Sequence, residues 1–144
     1  MGQKKKVLAG IILFSFLTLG FVQPSPTNSE VQGEAVEAAM NWLALVDQGN
    51  YGKSWGTAAG YFKEAVTEKQ WEQAVTAVRS PLGKVISRKL KSKQYATSLP
   101  GAPDGEYVVI QFETSFEKKK SSVETITPMK EKDGSWRVSG YYIK

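Results

Sequence analysis

The chain contains no cysteine and no histidine. Without cysteine there can be no disulfide, no thiolate nucleophile, no cysteine-bound zinc and no lipidated cysteine of the bacterial lipoprotein type. Without histidine the usual general base, the commonest metal ligand and the side chain that titrates near neutrality are missing as well. Together these two absences remove most hydrolase and metalloenzyme chemistry, and nothing in the residues calls for a cofactor or a metal. A strong charge imbalance is also lacking: 19 basic against 14 acidic residues give +5, and Lys4, Lys5 and Lys6 belong to the leading segment. The remainder is only mildly basic, which argues against a nucleic-acid partner. A chain of 144 residues has the size of one domain.

The single long apolar run lies at the start. A basic opening is followed by V-L-A-G-I-I-L-F-S-F-L-T-L-G-F-V (Val7 to Val22) and then by Q-P-S-P-T-N-S-E. This is the layout of a secretory signal. The run falls short of the roughly 20 residues that span a bilayer comfortably, so cleavage, with Thr18 and Gly20 as the small residues at the site, is expected over retention as an anchor. Residues 1–27 are thus read as a signal or anchor with a linker, and residues 28–144 as a single domain. The expected location is periplasmic or extracellular, with membrane contact only through residues 7–22 if they are uncleaved.

Within the domain the hydrophobic period changes halfway. Ala35, Ala38, Ala39, Trp42, Leu45 and Val46 recur at spacings of three and four, so Val31 to Gln48 is expected to be an amphipathic helix ended by Gly49. Thr57 to Ala65 is a poorer second helix, weakened by Gly56 and Gly60. A third is announced by the capping-box pair Thr67 and Gln70, with Trp71, Ala74, Val75 and Val78 on one side and Pro81 as its stop. From Gly83 onward the alternation is that of strands. Val108, Ile110, Phe112, Thr114 and Phe116 share one face, and Asp133-Gly134 marks a tight hairpin between the last two runs. The fold class expected is α+β: N-terminal helices packed on a curved four-stranded antiparallel sheet, whose twist encloses a cone.

Four blocks carry a resemblance to a known family. They are A-x-x-W-L-x-L-V-D-x-G-x-Y-x-x-S-W (Ala39 to Trp55), W-x-x-A-V-x-x-V-R-S-P-L-G (Trp71 to Gly83), P-D-G-E-Y-V-V-I-Q-F-E-T-S-F (Pro103 to Phe116) and D-G-S-W-R-V-S-G-Y-Y-I (Asp133 to Ile143). The chain resembles the bacterial domain of unknown function 4019 family, and its element order is similar to the cystatin-like and nuclear transport factor 2-like cone folds. The resemblance implies export and a small α+β domain, but no reaction.

Aromatic side chains are the foremost site candidates. Trp42, Tyr51, Trp55, Phe112 and Phe116 are placed to line a cone pocket, with core filling as the competing role they share with Trp71 and Trp136. Tyr51 and Trp55 stand first because they follow the helix where the cone would open. Asp47 and Tyr51 are the one nearby acid and phenol that would imitate an isomerase's proton-moving pair, although Asp47 in D-Q-G-N reads as a solvated turn residue. No strand is expected to offer an inward carboxylate. Ser115 and Lys118 have S-x-x-K spacing, which on a strand separates them to opposite faces and excludes acyl transfer. Lys89, Lys91 and Lys93 share one face by alternation and would meet an anionic surface or simply guard an edge strand. Arg79 is expected to pair with a carboxylate or to grip an anionic ligand.

The function expected is therefore an exported, non-catalytic domain, monomeric or homodimeric, that binds a small ligand or an envelope protein. The alternatives are a cofactor-free isomerase or lyase in the cone and a membrane-anchored assembly module.

Overall fold

The computed structural model describes residues 24–144; the apolar run and its basic flank lie outside the described residues. Helix α1 spans Asn28–Asp47 and starts at a capping box in which the Thr27 hydroxyl accepts from the Glu30 amide while the Glu30 carboxylate accepts from the Thr27 amide. Those contacts satisfy two of the amides that a helix start leaves without partners. Beyond the cap, Gly49 has φ +77°, the left-handed turn that glycine accepts at least cost. The weak helix expected over Thr57 to Ala65 is confined to α3, Gly60–Ala65, and a further helix not expected, α2, Tyr51–Thr57, precedes it, the two being separated at Ala58 and Ala59. Both alanines are fully buried, and the Ala59 amide donates to the Val138 carbonyl at 2.8 Å, so a contact remote in sequence ends α2. Helix α4, Glu68–Arg79, begins at the Thr67–Gln70 capping box and runs into a short 3-10 turn over Ser80–Leu82.

Strands β1 (Val85–Ala96), β2 (Tyr107–Phe116), β3 (Lys119–Lys130) and β4 (Trp136–Ile143) form one antiparallel sheet in the order β1-β2-β3-β4. The expected alternation on β2 holds: Val108, Ile110, Phe112, Thr114 and Phe116 are buried against the helices. Lys119 and Lys120 open β3, and Glu117 and Lys118 alone make the turn before it.

Between the helices and the sheet the space is occupied by interlocked rings. Trp42 lies 5.5 Å from Trp71 and 5.3 Å from Tyr141, and Phe62 meets Trp71 edge-on at 5.1 Å. These are the offset and edge-to-face separations that aromatic quadrupoles favour. Ser54, fully buried on α2, serves both indoles: its carbonyl accepts from Trp42 Nε1 at 2.8 Å and its hydroxyl from Trp71 Nε1 at 2.9 Å.

Candidate functional site

A chain of charged and hydroxyl side chains crosses the concave side of the sheet. Asp47, the last residue of α1, accepts from Arg79 of α4 at 2.8 Å and from both terminal nitrogens of Arg88 of β1 at 2.7 and 3.0 Å. Arg88 continues through its Nε to Glu124 Oε1 at 2.7 Å, and Thr114 of β2 donates to the same oxygen at 2.5 Å. The other Glu124 oxygen accepts a short hydrogen bond from the Tyr141 hydroxyl of β4. Two carboxylates and two guanidiniums thus balance one another, which is the condition under which buried charge is tolerated.

The electrostatics follow from that balance. Burial by itself would raise the Asp47 carboxyl, yet the hydrogen bonds and charges of Arg88 and Arg79 outweigh it and hold Asp47 below its ordinary value. Burial opposes charge on Arg88 as well, but the bonds to Asp47 and Glu124 prevail and raise it. Burial opposes charge on Arg79 too, and the bond to Asp47 with the charges of Asp47 and Glu124 outweighs it and raises the group. Burial, then the charge of Glu124 and the bond to it, push the Tyr141 phenol far above its usual range, so it stays a neutral donor.

Two sequence expectations are corrected here. Asp47 is not a solvated turn residue: its side chain is 26% exposed and joined to two arginines, partners 32 and 41 positions away. An inward carboxylate does exist on a strand, because Glu124 of β3 is completely buried. It stands opposite Phe112 in the register, and β2's alternation therefore places it on the core face. A short-range signal was available, since Glu124 shares parity with Ser122 and Ile126; the parity of its own strand is less clear than that of β2.

The aromatic candidates separate. Trp42, Phe112 and Phe116 are buried in the core, and the Phe116 ring lies under the Arg79 guanidinium at 5.1 Å. Trp55 is half-buried and donates from Nε1 to the Val66 carbonyl at 2.8 Å. Tyr51 borders a hollow of about 360 Å³ with Asp47, Arg79, Ser80, Lys84 and Lys118. The lysine trio is divided as well. A bulge between Leu90 and Ser92 sets Lys93 opposite the buried Ile110, while Lys89 pairs with exposed Glu113, so strict alternation fails and the three do not share one face. Lys89 and Lys91 line a second, polar hollow with Lys120.

A smaller and mainly apolar hollow, about 190 Å³, opens between α4 and β4 and is lined by Trp71, Ala74, Val75, Val78, Tyr141, Tyr142 and Ile143. Val78 and Tyr142 are 48% and 59% exposed there. Among the described residues no cluster of acids is arranged to hold a metal ion, and no helix is long and apolar enough to cross a membrane.

No curated protein matches the chain. One of the solved structures similar to it is a candidate ketosteroid isomerase from Shewanella frigidimarina NCIMB 400, at 16% identity and a TM-score of 0.50, over 77% of this chain and 94% of that one. At that identity the likeness carries the fold, a nuclear transport factor 2-like cone, and not the activity. The family model described as "Protein of unknown function (DUF4019)" matches residues 38–141, from the middle of α1 to the network's Tyr141, and the chain belongs to that family.

Proposed function

We propose that this is a non-catalytic recognition domain of the cell envelope, exported by the segment of residues 1–27, which takes an apolar side chain of a partner protein into the hollow between α4 and β4. The observation that carries the reading is the contrast between the two places where a ligand would sit. The cone interior is packed with rings and a balanced ion network, whereas the α4–β4 hollow keeps Val78 and Tyr142 half in water. β4 is also a sheet edge. An extended segment that adds to such an edge gains main-chain hydrogen bonds, and a flanking pocket selects its side chains.

A second reading is supported by the short Tyr141–Glu124 hydrogen bond and by the name of the Shewanella protein: an isomerase in which Glu124 moves a proton and Tyr141 stabilises the enolate. Three of the roughly four lone-pair sites of Glu124 are taken by Arg88, Thr114 and Tyr141, and the side chain is completely buried, whereas a base must stand in reach of its substrate. The binding reading is therefore preferred.

Methyl-resolved NMR with indole as the side-chain probe tests it. Saturable shifts are expected at Val75, Val78 and Ile143, and Val78→Asp should remove them by placing a charge in the hollow. Absence of any saturable shift sinks the apolar site. Turnover of a ketosteroid that is lost in Glu124→Gln would replace the binding reading by the enzymatic one.

A further inference from the structure

Arg79 is 94% buried on the relative scale, with 6% exposed, and uses little of its hydrogen-bonding capacity. Its Nη2 donates to Asp47, while Nε and Nη1 are buried without a partner. Leaving donors of a cation buried and unpaired is costly. Arg88 beside it has all three nitrogens engaged, so the deficit belongs to Arg79 and not to the network as a whole. The guanidinium is held at one corner by Asp47 and on one face by the Phe116 ring, which fixes its plane in advance.

Arg79 also forms part of the wall of the 360 Å³ hollow, and the rest of that wall suits an anion. Lys84 and Lys118 stand exposed at its rim, with Tyr51 and Ser80 adding hydroxyls. The opposing acids are Asp47, whose two oxygens are already taken by two arginines, and Glu117, whose Oε1 accepts from the Lys84 amide at 3.2 Å. Three cationic residues against two anionic ones leave a surplus of one positive charge.

We propose that this hollow, at the joint of α1, α4 and the β2–β3 turn, is a carboxylate-binding site in which Arg79 takes the carboxylate and Lys84 and Lys118 draw it in. The planar fork of a guanidinium matches a carboxylate in shape, and a surplus of a single charge suits a monoanion better than a phosphate dianion. The site shares no residue with the apolar hollow and stands whether or not that hollow binds. A free organic acid and a protein C-terminus present the same group.

The experiment follows the Arg79 Nε–H resonance while the whole domain is titrated with sodium acetate, ionic strength being kept constant with sodium chloride. A second arm compares a short peptide bearing a free C-terminus with its amidated form. The expected result is a saturable shift with acetate, no tighter binding of inorganic phosphate, and, followed at the amide of Ser80 on the same wall because the substitution removes the guanidinium reporter, loss of acetate binding in Arg79→Lys. The exposed pair Lys84→Ala/Lys118→Ala, which leaves the buried network intact, should weaken acetate binding by roughly two- to fivefold, the range of exposed ion pairs. Tighter binding of the free-ended peptide than of acetate assigns the carboxylate to a chain end, and equal or weaker binding assigns it to a small acid. A response linear in acetate, tighter phosphate binding, or an unchanged affinity in the double lysine variant overturns the proposal.

Discussion

Glu124 shows what a single side chain decides in this domain. A carboxylate with no exposure is tolerated because three donors and one full positive charge converge on it, and removing the charge leaves Arg88 half-paired inside the protein. Glu124→Gln is expected to destabilise the fold by about 3–5 kcal/mol, as broken buried pairs do. Tyr141→Phe removes one hydrogen bond, keeps the ring against Trp42 and Trp71, and should cost only about 1–2 kcal/mol. Urea unfolding of the two variants measures the difference; equal losses would mean that the carboxylate's charge plays no part. Ser54 and Arg79 belong to the same scale. A serine in K-S-W and an arginine in V-R-S-P carry no sequence mark of burial, and only their neighbours in space make one the acceptor for two indoles and the other a buried cation.

At the scale of elements, the helix and strand periods were plainly legible. Capping chemistry at Thr67, alternation along β2 and the Asp133-Gly134 turn are local properties, and each is found where its residues indicate. Two departures from local pattern have separate causes. Along α4 the face turned to the core is Trp71, Val75 and Arg79, at a spacing of four, so an arginine continues the apolar stripe and Val78 is left in water. Sequence patterning treats arginine as polar and reverses that choice. The bulge in β1 had no residue signal either, and it undid the shared face of Lys89, Lys91 and Lys93. Thr67→Ala should cost about 1 kcal/mol by removing the α4 cap, read as a shift in the thermal midpoint. Deleting Tyr141 to Ile143 is expected to abolish cooperative unfolding, because Glu124, Thr125 and Ile126 of β3 would lose their partners on β4 and Glu124 its phenol partner. A truncated chain with an unchanged melting curve would contradict that expectation.

For the whole molecule, the ion network links α1, α4 and all four strands, and its acid response should be global. Asp47 titrates below its ordinary value of 3.8 in the fold. Its contribution to stability is then complete above about pH 4 and is lost as the pH falls through the depressed value. Asp47→Asn should be less stable than the parent by about 2 kcal/mol at neutral pH, a figure reduced from that of a fully buried pair because the side chain is a quarter exposed. That deficit should shrink steadily below pH 4 in acid unfolding; a constant deficit at every pH would remove the ion pairs as its cause. What the sequence by itself determined is the part governed by neighbours along the chain: helices first, four strands after, caps, turns and the family. Only the tertiary structure decided which acids lie inside, that rings fill the cone, and where hollows remain. Those depend on charges and side-chain volumes brought together from positions 32 to 41 residues apart, and no local period encodes such meetings.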